Sequence, residues 1–337
     1  MSTTATVAPR TNRRVTGLFV FAGVLVALAV LSVAVGSRAL SLPEVWSGLT
    51  DAASDAYPVV TELRLPRTAL GLAAGAALGL SGALMQAMTR NPLADPGLLG
   101  VNTGAAAAVV TAVHFIGLTT FTGTLAFAFI GAAVAAVACY LIGGAATATP
   151  ARLALAGAAV TAAGYAYVSA IQLLDTATLE QMRFWSVGSL VNAHTVPLWP
   201  VIGLIAAAGI GGVLLARPLN ALALGDATAT GLGIDPRVLR VAGIGAITVL
   251  AGTATAACGP IVFVGLVVPH VVRAFTGPDQ NWVLPYSMLT GAAFLVAADI
   301  IGRVVARPSE LQVGIVCAVV GGPFFLYLVN RRKVARL

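Results

Sequence analysis

Side chains able to do chemistry are few in this sequence, and their spacing suits none of the common catalytic or metal-binding designs. Cys139, Cys258 and Cys317 stand alone in apolar runs. They lack the paired spacing of a zinc site, an iron–sulfur motif or a disulfide framework, so they read as small core residues. His114, His194 and His270 fall at separate helix ends and loops, whereas a resident iron would want carboxylates or several imidazoles converging. Lys333 is the only lysine and lies in the tail, so no Walker A loop is encoded. The sequence thus predicts no catalytic residue, no metal site and no cofactor. What remains is arginine, 18 of the 19 basic residues. Arg64 and Arg67 flank a proline in Leu63-Arg64-Leu65-Pro66-Arg67, and Arg303 follows Asp299 by one helical turn. Such residues serve as interfacial anchors, or, for Arg303, as an i, i+4 partner of Asp299.

The elements that must position them are membrane helices. Of 337 residues, 58% are hydrophobic and only 9% charged, with mean hydropathy +0.95. A chain of this length and composition has room for about eight to eleven crossings and no sizeable soluble domain. Apolar runs fall at 17–35, 65–88, 97–118, 122–144, 153–174, 197–215, 239–258, 260–276, 284–303 and 311–329. The expectation is an all-α polytopic protein of ten transmembrane helices: a cytoplasmic tail at 1–16, a ten-helix membrane domain at 17–330 and a second cytoplasmic tail at 331–337. The first run is about 19 residues, longer than a signal-peptide core, and is expected to be a retained helix, although Ala34-Val35-Gly36 would pass as a cleavage site.

Ten crossings put both termini on one side, and both are basic, which the positive-inside rule assigns to the cytoplasm. The remaining loops agree: with the tails included, thirteen basic and four acidic residues fall inside, six basic and eight acidic outside. The net charge of +7 is therefore a matter of topology, and no nucleic-acid partner is expected. No ionisable side chain lies near the middle of any run. Proton-coupled transporters generally need one at membrane depth, so uphill work is expected to be driven from elsewhere. A sodium-coupled carrier using backbone carbonyls of broken helices stays open.

Several stretches invite function. Gly71, Gly75, Gly79 and Gly82 give the second run small residues on most faces, as in a tightly packed central helix or, alternatively, a gating hinge. Gln86 at its inner end caps or bonds a neighbour. Thr89-Arg90-Asn91-Pro92-Leu93-Ala94-Asp95-Pro96-Gly97-Leu98-Leu99-Gly100 holds two prolines and two glycines, which fixes a shaped loop. Residues 217–240 read as a solvated loop or an interfacial helix. Trp185, in the outer loop from Asp175 to His194, is an interfacial anchor or a contact for cargo or a docked protein.

Taken in order, Leu63–Arg67, Gly82–Gln86, Arg90–Gly97, Gly100–Ala105, Phe184–Leu190, Leu224–Gly233, Gly259–His270, Ala298–Arg303, Pro308–Leu311 and Gly321–Phe325 resemble the iron-siderophore and cobalamin importer permeases. These are membrane subunits of type II ATP-binding-cassette importers. The likeness covers the chain from the first helix onward, and the Asn91–Gly100 and Ala298–Arg303 stretches are most similar to the ferric catecholate branch. It implies a permease subunit in the cytoplasmic membrane, paired with a second permease subunit, itself or a paralogue. A dimer of cytoplasmic ATP-binding subunits would drive it, and an extracytoplasmic siderophore-binding protein would deliver the cargo. The resemblance further implies that Arg64, Arg67 and Arg303 face outward to dock the binding protein. Leu224, Gly225, Asp226, Ala229, Leu232 and Gly233 would form the core of the ATPase-coupling segment. Asn91 and Leu93 match one cytoplasmic gate loop, and Pro150 and Ala151 match the other more loosely. Cobalamin and haem are the nearest rival cargoes.

Overall fold

The computed structural model describes residues 10–36, 40–118, 120–145 and 149–330. The expected basic tail with Arg331, Arg332, Lys333 and Arg336, and Arg38 in the first outer loop, lie outside the described residues, as do residues 1–9. Among the described residues there is no strand. The helices are α1 (Arg10–Ala34), α2 (Leu42–Thr50), α3 (Leu65–Thr89), α4 (Val101–Ile116), α5 (Phe121–Ile142), α6 (Pro150–Leu174) and α7 (Thr176–Trp185), followed by α8 (Leu198–Leu214), α9 (Ala216–Ala223), α10 (Asp226–Gly231), α11 (Pro236–Cys258), α12 (Val264–Thr276), α13 (Gln280–Val305) and α14 (Val313–Asn330). Each of the ten apolar runs falls on one of them. By length and composition six helices can cross a membrane, or seven if α8 and α9, bent by 44°, count as one span. Three apolar helices are shorter: Val101–Ile116, Val264–Thr276 and Val313–Tyr327.

Helix α3 is the axis of the fold. Eighteen of its residues are buried, among them Gly71, Gly75, Gly79 and Gly82, and it packs along α13 and against α8, α11 and α12. A Cβ on Gly75 would sit 2.4 Å from the Gly291 carbonyl oxygen of α13. Helices in lipid gain little from apolar burial against one another, so close backbone approach through small residues supplies the van der Waals contact instead. The glycine run is therefore the seam of a packed central helix.

Helix α1 lies on the outside, with 11% of its most apolar window buried and a mean hydropathy of 2.6 there. It begins at Arg10, seven residues before the expected boundary, because its first turns are anchored to α13. The Arg14 guanidinium lies 5.8 Å over the Trp282 ring, and Tyr286 Oη donates to the Arg14 carbonyl at 2.5 Å. Two further helices arise where no apolar run predicts them. Ser41 and Glu44 form a capping box for α2, with Ser41 N–H donating to Glu44 Oε2 at 2.7 Å. Asp175 caps α7 by accepting from Ala177 N–H at 3.0 Å. Both starts carry recognisable N-cap residue types, but α7 is short and polar enough that hydropathy conceals it.

Candidate functional site

With the two ends named outer and inner as the loop charges assign them, the outer end of the bundle holds an arginine cluster. Arg67 Nε donates to both Asp299 oxygens at 3.1 Å, its Nη2 to Asp299 Oδ1 at 2.8 Å and its Nη1 to Glu310 Oε2 at 2.6 Å. Arg303 Nη2 lies 2.9 Å from Asp299 Oδ2. The same guanidinium reaches α1, donating to the Ser32 carbonyl at 2.8 Å, the Val35 carbonyl at 2.9 Å and Ser32 Oγ at 2.7 Å. Arg64 Nη1 donates to the Val33 and Ala34 carbonyls at 2.7 and 2.8 Å, and Arg307 Nη2 to the Gly36 carbonyl at 2.7 Å. The last turn of a helix leaves carbonyls without partners and carries the negative end of its dipole. No basic residue lies in the last turn of α1 itself, so Arg64 and Arg303 from elsewhere in the chain satisfy it, and Arg307 takes the Gly36 carbonyl just beyond.

Arg64, Arg67 and Arg303 are brought together at one end, but their side chains are buried rather than projecting outward. Orphaned carbonyls and the buried Asp299 carboxylate claim guanidiniums that the family resemblance alone assigns to a partner. The i, i+4 pairing of Arg303 with Asp299 is present. Beside the cluster lies a cavity of about 810 Å³, lined by Glu180, Trp185, Asn192, Glu310 and Gln312 among others. Trp185 packs partly against the core there. His114 Nδ1 lies 2.8 Å from Asp175 Oδ2, joining α4 to the α6–α7 corner. Hydrogen bonds from Thr178 and then from His114 hold the Asp175 carboxyl well below the usual Asp range.

The inner end carries a second arginine cluster. Asp226, first residue of α10, pairs with Arg90 at the end of α3 and with Arg240 in α11. Partial burial opposes its charge, but the hydrogen bonds and charges of Arg240 and Arg90 win and hold its carboxyl below the usual Asp range. Leu224 and Leu232 flank α10, 69% and 62% exposed, with Gly233 exposed and Gly225 half-buried beside them. Ala229 is fully buried under α10. Within the expected coupling segment it lies on the buried face of the helix, beneath the exposed leucines.

Of the gate residues, Asn91 is exposed and its Oδ1 accepts from Leu93 N–H at 3.0 Å, closing a local turn. Pro150 and Ala151 open α6 behind Thr149, whose hydroxyl accepts from Arg152 N–H at 3.3 Å. Six residues on, the Gly157 face of α6 meets the loop after Asn91: a Cβ there would lie 1.6 Å from the Leu98 carbonyl oxygen, so only glycine fits. Asp95 caps the short 3₁₀ turn Pro96–Leu99 by accepting from Gly97 N–H at 2.8 Å. Desolvation outweighs that bond and raises its carboxyl above the usual Asp range. Gln86, completely buried, bonds a neighbour as expected: Nε2 donates to the Gly265 and Leu266 carbonyls of α12 at 3.1 and 3.3 Å, and Oε1 accepts from Arg273. Among the described residues no three His, Cys, Asp or Glu side chains gather as metal ligands would.

Comparison with known proteins agrees on the architecture. The model of the FecCD transport family matches residues 24–331. The ferric enterobactin transport system permease of Escherichia coli is 45% identical over 315 residues, covering 91% of this chain and 93% of that protein. The hemin transport system permease of Yersinia pestis is 38% identical, covering 93% and 94%. An inward-facing structure of a metal-chelate type ABC transporter superposes with a TM-score of 0.83 at 28% identity, covering 94% of this chain and 99% of that one.

Proposed function

Because the chain belongs to the FecCD transport family, whose members are multi-pass permease subunits of ATP-binding-cassette importers with the ATPase on a separate subunit, we propose that it carries a ferric siderophore across the cytoplasmic membrane. The cargo arrives from an extracytoplasmic binding protein, and hydrolysis on a dimer of cytoplasmic ATP-binding subunits shifts the pathway from outward-open to inward-open. No covalent chemistry occurs in this chain. Ten helices cross, with both termini inside, and a second permease subunit completes the pathway.

The observation that carries this reading is the inner surface around α10. Two large exposed leucines, Leu224 and Leu232, flank a short helix on the side that the basic loops assign to the cytoplasm, and a motor docking in that groove would bury them. The catecholate class rests on the 45% identical enterobactin permease. At the outer end, Arg64, Arg67 and Arg303 act in docking by exchanging an internal partner for a carboxylate of the binding protein. The Arg67–Glu310 pair, with the more accessible acid, exchanges first. Asn91, Leu93, Pro150 and Ala151 border the inner mouth.

Uptake of radiolabelled iron, supplied as ferric siderophores, in cells with and without this chain tests the proposal, with labelled cobalamin and haem run beside it. Loss of siderophore iron alone supports the cargo class. Loss of cobalamin or haem uptake alone keeps the importer and overturns the cargo. Transport by the isolated chain in liposomes, without an ATPase, would sink the importer reading in favour of an ion-coupled carrier.

A further inference from the structure

We propose that Asp226 is a positioning residue that ties the ATPase-facing helix α10 to the α3–α4 loop through Arg90, with Arg240 holding it from α11, so that displacement of α10 moves the loop at the inner mouth. The inference rests on the importer reading and reassigns Asp226, which the family resemblance groups with the ATPase contacts.

Three elements meet at this carboxylate. Arg90 lies 136 residues from Asp226 in the chain and Arg240 lies 14 away. The pairs are half exposed, with 46% of the Asp226 side chain open to solvent, and exposed ion pairs add little to stability. Holding the fold together is therefore not what the arrangement accomplishes. It fixes the placement of α10 relative to the end of α3 and the loop that follows it.

The backbone at Arg90 points the same way. Helix α3 ends in a Schellman arrangement: Arg90 N–H donates to the Ala87 carbonyl at 3.4 Å and Asn91 N–H to the Gln86 carbonyl at 3.2 Å. The residue at the left-handed position of this motif is usually glycine. Here it is Arg90, at φ 50° and ψ 32°, a conformation that costs a residue with a Cβ. An arginine kept where glycine would be easier is best explained by its side chain, and that side chain reaches Asp226. The next residues are Asn91, Pro92 and Leu93, so a pull on Arg90 acts on the loop directly.

The test uses the full complex of permease, ATPase and binding protein in proteoliposomes, reading cargo transported per ATP hydrolysed. Arg90→Gly suits the left-handed backbone and so leaves the fold intact while removing the link; Asp226→Asn removes the charge at nearly constant shape. Each is expected to lower the ratio at least fivefold while the ATPase still co-purifies in full. The double variant should be no worse than either single one, and Arg90→Lys should stay within twofold of the unaltered chain. Unchanged ratios for both single variants, or additive losses in the double, would overturn the proposal. Loss of ATPase co-purification in Asp226→Asn would also overturn it, by returning Asp226 to the ATPase contact. Should Asp226→Asn fail to fold, Arg90→Gly and Arg90→Lys still decide. Failure of the unaltered chain to co-purify with an ATPase would instead overturn the importer reading, and the inference with it.

Discussion

Each end of this bundle sets two arginines on one aspartate, yet water separates the two constructions. At the outer end Asp299 is 2% exposed and is bound by Arg67 and Arg303 within the helix packing. At the inner end Asp226 is 46% exposed and is bound by Arg90 and Arg240 across loop and short helix. Similar chemistry in unequal surroundings has unequal consequences. A buried charge stripped of its partner is severely destabilising, whereas an exposed one is rehydrated at small cost. The outer cluster therefore gives up an internal partner only where another carboxylate replaces it, whereas the inner one is free to break and re-form in water during a transport cycle.

The sharpest way to break this comparison is to exchange the two ends' behaviour by mutation. Arg303→Glu would bury a second carboxylate against Asp299, and Asp299→Ala would leave Arg67 and Arg303 without their shared counter-ion. Each should cost about 3–5 kcal/mol, seen as lost expression and a much lower melting temperature in detergent. Reversing Arg64, Arg67 and Arg303 together should for the same reason unfold the outer end rather than merely weaken docking. A folded triple variant with reduced binding-protein affinity would return these residues to a surface role. Asp226→Ala, the inner counterpart, should cost less than about 1 kcal/mol in the same melting assay. An equal cost at both ends would erase the distinction drawn here.

Between these in size stands the central seam. Gly75→Val places methyl groups where the Gly291 carbonyl now sits and should destabilise by about 1–3 kcal/mol through overpacking, again by thermal unfolding. The smallest effect concerns pH and compares two neighbouring inner-side carboxyls. Asp226 is held below the ordinary Asp range, so its stabilising contribution is present above the unfolded-state value and is lost only as pH falls through the lowered folded one. Asp95 is raised, so its contribution is present in acid and is lost as pH rises through the raised folded value. Acidification from neutrality should therefore protonate Asp95 well before Asp226. In infrared difference spectra the carboxylic-acid carbonyl band lost in Asp95→Asn should appear at higher pH than the band lost in Asp226→Asn.

Much of the molecule is legible in the sequence for local reasons. A transmembrane helix is announced by its own run of apolar residues, so every expected run is helical. The Asp299–Arg303 pair follows from a spacing of four, and the glycines of α3 state that something must come close. The capping box of Ser41 and Glu44 was equally available as the signal for α2. Other features were out of reach because their causes lie far apart in the chain. Nothing near Asp299 names Arg67, 232 residues away, as its partner, and nothing in α1 announces that Arg64 and Arg303 will donate to its final carbonyls.

By itself, then, the sequence determined the medium and the helices and set an expectation for the orientation of the two ends, because hydropathy, loop charge and helical period are summed over neighbouring residues and survive any arrangement of the bundle. Only the tertiary structure decided which arginine meets which acid and which of those meetings stay dry. That outcome depends on how closely glycine faces let helices such as α3 and α13 approach. It also depends on where a helix end such as that of α1 is left with carbonyls that some cation in the folded chain must satisfy.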